Sequence, residues 1–140
     1  MKETGKTKNS EVLKIPFFAS LLHAGFPSPA DDYKENILDL NELVIQNPGA
    51  TFYVRVKGDS MKGAGIEAGD VVVVDRAITA RHNAVIVALI NGEFTLKRLY
   101  HTNNTLYLVP EHPSYETIKI VEGMEFQVWG VVTYCIHKVR

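Results

Sequence analysis

The chain has 140 residues, 46% of them hydrophobic and 22% charged, which is the length of one domain and the composition of a protein with a packed core. Its 15 Lys and Arg against 16 Asp and Glu give a formal net charge of -1, so no basic surplus marks a nucleic-acid surface, and any role on DNA is expected to run through protein partners rather than through direct sequence-specific binding. The single cysteine, Cys135, closes no intrachain disulfide and reads as a small buried hydrophobe on a C-terminal strand, which suits the cytoplasm, and no apolar run reaches the roughly 18 residues of a membrane helix.

Residues 1–30 read as a flexible N-terminal arm and 31–140 as a β-rich domain. Residues 1–10 are polar and lysine-rich, with too little apolar surface to fold alone. The apolar stretch 15–22 follows, and Gly25-Phe26-Pro27-Ser28-Pro29 then breaks regular structure, because proline lacks a donor and restricts the residue before it. Lysines before that apolar stretch and Ala24 after it imitate a secretory signal, but Pro16 and Ser20 interrupt it and Leu22 stands where a small residue is needed, so secretion is disfavoured.

Residues 36–46 (NILDLNELVIQ) read as a weak helix, with Leu40, Leu43 and Val44 at i, i+3 and i+4 and Pro48-Gly49 ending it. From Thr51 the period changes to two. Phe52, Val54 and Val56 alternate with Tyr53, Arg55 and Lys57. Residues 71–74 and 85–90 are β-branched runs fit for strands covered on both faces. Asn91-Gly92 predicts a tight hairpin, since both central residues of a type I′ turn take positive φ. Asn103-Asn104 predicts a second turn, and residues 126–136 a closing strand with Gly130 as a bulge. The sum is roughly seven strands, one short helix and no repeat.

Two residues carry the chemistry. Ser60 lies in Gly58-Asp59-Ser60-Met61, directly after a strand, and Lys97 lies in Phe94-Thr95-Leu96-Lys97-Arg98. On base rates the serine is a turn residue and the lysine a solvated strand residue. A neutral lysine amine, however, can take the proton of a serine hydroxyl, and Ser-Lys pairs are a known variant of the serine triad. Lys97 shares a strand face with Thr95 and Leu99; if that face is buried, desolvation favours the neutral amine. Spacing alone does not bring the two residues together.

A resemblance supplies the link. Residues 56–61 (VKGDSM), 65–70 (GIEAGD), 85–88 (VIVA) and 92–99 (GEFTLKRL), in that order, resemble the blocks of the LexA/UmuD family of self-cleaving Ser-Lys peptidases, and the likeness runs over roughly residues 26–132. It implies a mostly β fold with a single compact LexA-like peptidase domain. It implies Ser60 as nucleophile, Lys97 as general base, and the backbone N–H groups of Asp59 and Ser60 as the oxyanion hole. The segment 23–30 with Asp39-Leu40-Asn41 resembles the UmuD branch, which makes Ala24-Gly25 the self-cleavage site; that branch more often has Cys before the cut glycine, whereas LexA-type relatives have Ala. With about 50 residues before Thr51, there is no room for the helix-turn-helix domain of a LexA-type repressor.

The same resemblance implies a homodimer, cleavage stimulated by a RecA filament on single-stranded DNA, and a UmuC-like DNA polymerase as partner in mutagenic bypass. No cofactor or metal is expected: the histidines 23, 82, 101, 112 and 137 offer no i, i+4 pair and no cysteine partner. Residues 63–68 match a GxGxxA dinucleotide pattern but precede a valine strand instead of a helix. A histidine base, His82 or His101, has no motif behind it, and residues 111–113 read as a plain loop. Two readings compete with the peptidase: a non-catalytic β-rich adaptor for a polymerase or RecA filament, and a signal-peptidase relative, which lacks a membrane anchor.

Overall fold

The structure is a computed structural model, in which residues 13–18, 25 and 35–139 are described. The chain divides into two compact units, 1–43 and 44–140. The expectations for residues 1–10 and for Ala24 lie outside the described residues.

In the first unit, β1 (Ile15–Phe18) pairs antiparallel with β2 (Glu35–Leu38), Ile15 opposite Leu38 and Phe18 opposite Glu35. Residues 36–38 are therefore strand, not helix. The helix that follows, α1 (Leu40–Val44), has five residues. Asp39 sets its start: the carboxylate accepts the N–H of Asn41 at 3.0 Å and the carbonyl accepts that of Glu42 at 3.0 Å, as an N-cap residue does. The apolar spacing that suggested a longer helix needs only residues 40–44, and Ile37 and Leu38 answer instead to Pro16 and Ile15 of a partner strand far upstream in the chain.

The second unit is one seven-stranded antiparallel sheet in the order β3-β4-β9-β5-β6-β7-β8. Its strands are β3 (Thr51–Arg55), β4 (Val71–Asp75), β5 (Val85–Ile90), β6 (Glu93–Thr102), β7 (Thr105–Val109), β8 (Ile118–Lys119) and β9 (Phe126–Ile136). The β-branched runs sit where they were expected. Val72, Val73 and Val74 are fully buried, as are Ile86 and Ala88, so central strands are covered on both faces. Asn91 and Gly92 take φ of 49° and 83°, and Asn103 and Asn104 take 51° and 60°, so both tight turns use two residues at positive φ.

The closing strand bulges as predicted at Gly130. Val87 pairs with Gly130 but Ala88 pairs with Val128, leaving Trp129 as the extra residue. A Cβ on Gly130 would stand 2.5 Å from Val74 Cγ1, so the valine wall of β4 excludes any side chain there.

Two apolar clusters make the core. One joins Met61, Ile66, Val72, Val74 and Val87; the other joins Ile86, Ala88, Leu99, Leu108 and Val131. Each large apolar side chain among them contributes about 1.5–3 kcal/mol by leaving water. Met61, 1% exposed, belongs to the first cluster and is the residue after Ser60, so core packing fixes the turn on which the serine sits.

Candidate active site

The segment after β3 is held from both sides. The N–H of Val56 donates to the carbonyl of Asp70, and that of Gly69 donates back to Val56, each at 2.8 Å. Gly58 then takes φ of 87°, which turns the chain away from the strand. Lys62 N–H closes onto the Asp59 carbonyl at 3.1 Å, and a single 3₁₀ turn, Lys62–Ala64, ends at Gly65 in the left-handed region. Ser60 lies inside this tight turn, immediately before the buried Met61.

Lys97 comes from β6, where it pairs across to Ile86 of β5. Its Nζ stands 3.2 Å from Ser60 Oγ, 2.7 Å from Thr95 Oγ1 and 3.1 Å from the Leu96 carbonyl. The structure thus brings together two residues 37 apart in sequence. Lys97 is only 8% exposed, and burial pushes its pKa below the ordinary 10.5. A neutral amine in this position can give two N–H groups to Thr95 Oγ1 and the Leu96 carbonyl and keep one lone pair turned to the serine hydroxyl.

Beside the serine lies a cleft of about 280 Å³, floored by Val54, Val56, Met61, Val72 and Val87 and walled by Phe94–Leu96 of β6. β3 ends the strand order of the sheet, so its outer edge faces no neighbouring strand among the described residues. Main-chain groups on such an edge can pair with an extended peptide.

A loop after β7 closes the other side of the turn. The N–H of Glu111 donates to the Ser60 carbonyl at 2.7 Å, and the Glu111 carbonyl accepts Gly63 N–H at 2.8 Å. Arg98, next to Lys97 on β6, reaches the Glu111 carboxylate at 3.3 Å. Asp59 receives the Tyr115 hydroxyl at 2.8 Å and faces His112 Nε2 at 3.4 Å. The tyrosine hydrogen bond is the main reason the Asp59 carboxyl lies below its usual range; the same bond holds the Tyr115 phenol above its own. Tyr115, Glu111 and Arg98 were not among the sequence candidates, and residues 111–113 carry no pattern that marks them.

The remaining histidines lie elsewhere. His82 and His101 line a separate cavity of about 380 Å³, where His82 Nδ1 accepts the His101 N–H at 3.0 Å. His137 meets Asp70 at 2.8 Å. His23 is outside the described residues. Residues 63–68 lead through the loop into β4, not into a helix. Gly25, half of the predicted cleavage site, is exposed. Among the described residues, no group of three His, Cys, Asp or Glu is placed to hold a metal, and no helix is long and apolar enough to cross a membrane.

A mostly antiparallel β domain thus carries a serine turn that faces a buried strand lysine. The chain belongs to the family described as peptidase S24-like, whose pattern matches residues 16–133. It is similar to Protein SamA of Salmonella typhimurium strain LT2, 46% identical over 125 residues that make up 89% of this chain and 86% of that protein. Protein ImpA of Escherichia coli is 44% identical over 126 residues, 89% of this chain and 85% of its own length. LexA repressor 1 of Geobacter sulfurreducens is 36% identical over 116 residues, 83% of this chain and 56% of that repressor. These relatives bear out the LexA/UmuD resemblance.

Proposed function

We propose that this protein is a UmuD-like serine endopeptidase that cleaves its own Ala24-Gly25 bond. The observation that carries the reading is the contact of Lys97 Nζ with Ser60 Oγ in a buried setting. The neutral Lys97 amine takes the Ser60 proton as Oγ attacks the Ala24 carbonyl carbon. The backbone N–H groups of Asp59 and Ser60 receive the negative oxygen of the tetrahedral intermediate. The Lys97 ammonium then gives its proton to the departing Gly25 nitrogen, the C–N bond breaks, and an ester joins Ala24 to Ser60. Water, deprotonated by the same amine, hydrolyses that ester and frees the serine.

In this reading residues 1–30 are the arm that enters the cleft and 31–140 the peptidase domain. Ala24 and Gly25 are small on both sides of the bond, which suits a narrow cleft. The protein acts in the cytoplasm as a homodimer. A RecA filament on single-stranded DNA promotes the cut, and the shortened form serves a UmuC-like polymerase in translesion synthesis after DNA damage. The rival reading, an adaptor with an idle site, predicts no cut. Mass spectrometry of the protein incubated at alkaline pH distinguishes them: the peptidase yields a product beginning Gly25-Phe26-Pro27. Any other new N-terminus, or an intact chain, sinks the assignment.

A further inference from the structure

We propose, on the peptidase reading above, that Tyr115 is a positioning residue for the nucleophile turn: through Asp59 it holds the backbone that receives the oxyanion. The residues that form the grip are prefolded. Tyr115 N–H closes onto the His112 carbonyl at 3.2 Å across Pro113 and Ser114, a four-residue turn with proline at its second position, where its fixed φ fits. The His112 and Tyr115 rings meet edge to face at 5.3 Å. His112 Nδ1 accepts the Ser114 N–H at 3.0 Å, so the neutral ring carries its proton on Nε2, the nitrogen that faces Asp59 Oδ2.

Both oxygens of Asp59 are therefore met by donors from one short turn. Asp59 precedes the nucleophile, so holding its side chain limits rotation of the peptide that links it to Ser60. On the far side of Ser60, Glu111 N–H holds the next carbonyl. The loop is itself tied to the base. Arg98 follows Lys97, pairs in register with Val109, and reaches the Glu111 carboxylate. The chain from Lys97 through Arg98 and Glu111 to Ser60 is thus continuous, and the Tyr115–Asp59 bond completes it at the oxyanion end. The tyrosine proton is kept on its oxygen by the neighbouring carboxylate, so the group remains a donor at working pH.

The test uses the full chain and a fluorophosphonate, which forms an Oγ–P bond at Ser60, loses fluoride and leaves the serine proton with Lys97. Phosphonylation needs the dyad and the oxyanion site but no entry of the arm. Tyr115→Phe is expected to slow both phosphonylation and self-cleavage about tenfold, equivalent to about 1.4 kcal/mol of barrier, with the midpoint of the pH–rate profile unmoved. Asp59→Ala is expected to match it, and the double variant to be no slower than either single one. Thermal melts check that each variant is folded. A Tyr115→Phe protein labelled at the parent rate, a shifted pH midpoint, or additive losses in the double variant overturns the inference. A parent protein that is neither labelled nor cut overturns the peptidase reading itself.

Discussion

Lys97 and Asp70 are two ionisable side chains buried to similar depth, 8% and 4% exposed, in opposite electrostatic circumstances. Asp70 is surrounded by donors: Glu67 N–H at 2.8 Å, His137 Nδ1 at 2.8 Å and the Cys135 thiol at 3.2 Å. The backbone hydrogen bond first, then the histidine, lower its pKa to about 2. Lys97 has the Thr95 and Ser60 hydroxyls and the Leu96 carbonyl around it, and burial lowers its pKa in turn. The carboxylate is kept charged and closes a loop; the amine is pushed towards neutrality and can act as a base. Burial alone does not decide between scaffold and chemistry. The partners do.

Breaking the comparison at the reactive end has the largest expected effect. Ser60→Ala and Lys97→Ala each lower self-cleavage on the order of 10⁴-fold or more, and the double variant is no worse, since the pair acts as a unit. Both fold normally by thermal melt. Asp70→Ala does the reverse: it still cleaves, but its melting temperature falls, because a core loop loses its carboxylate and the Glu67 N–H loses its acceptor. If a Lys97→Ala protein cut at the parent rate, the contrast would collapse and a histidine base would have to be sought.

The scaffold end gives a second test, through Cys135. Burial and then the Asp70 carboxylate raise its thiol from 9.0 to about 11, which lowers the thiolate fraction at neutral pH about 100-fold. Alkylation by iodoacetamide in the native state should be slower than in denatured protein by about that factor. Equal rates would show that the Asp70 cluster is open.

The smallest effects are in pH. Cleavage should rise about tenfold per pH unit while Lys97 is protonated, and level off below the ordinary lysine value of 10.5. Asp70 behaves oppositely in stability. Its folded pKa is depressed, so its contribution is fully present above the unfolded value of 3.8, falls as pH drops towards about 2, and is gone below that. Comparing the acid unfolding of the parent with that of Asp70→Asn checks this: the two curves should converge in that window.

Much of this was legible in the residues. The β-branched run 85–90 and the Asn91-Gly92 turn predict β5 and β6, and period-two alternation places Lys97 on a face with Leu99, which is buried. The blocks around Ser60 and Lys97 predict the pair, though only the fold shows that they touch. The β1–β2 pairing was not legible, because residues 36–38 are specified by a distant partner and not by their own spacing. Nor was the grip of Glu111, His112 and Tyr115 on the serine turn. Those contacts join loops about 50 residues apart and depend on single hydrogen bonds, which leave no periodicity.

Position 63 has an evolutionary side. A Cβ there would stand 2.7 Å from the Glu111 carbonyl oxygen, and that oxygen accepts the Gly63 N–H. Any side chain at 63 displaces the main chain of 111, and with it the Glu111 N–H that holds the Ser60 carbonyl. Drift at one position is therefore felt at the other. Homologues are expected to change residue 63 and the length of the segment between β7 and β8 together, or to keep both, so the two stretches form one inherited unit despite lying far apart in the gene.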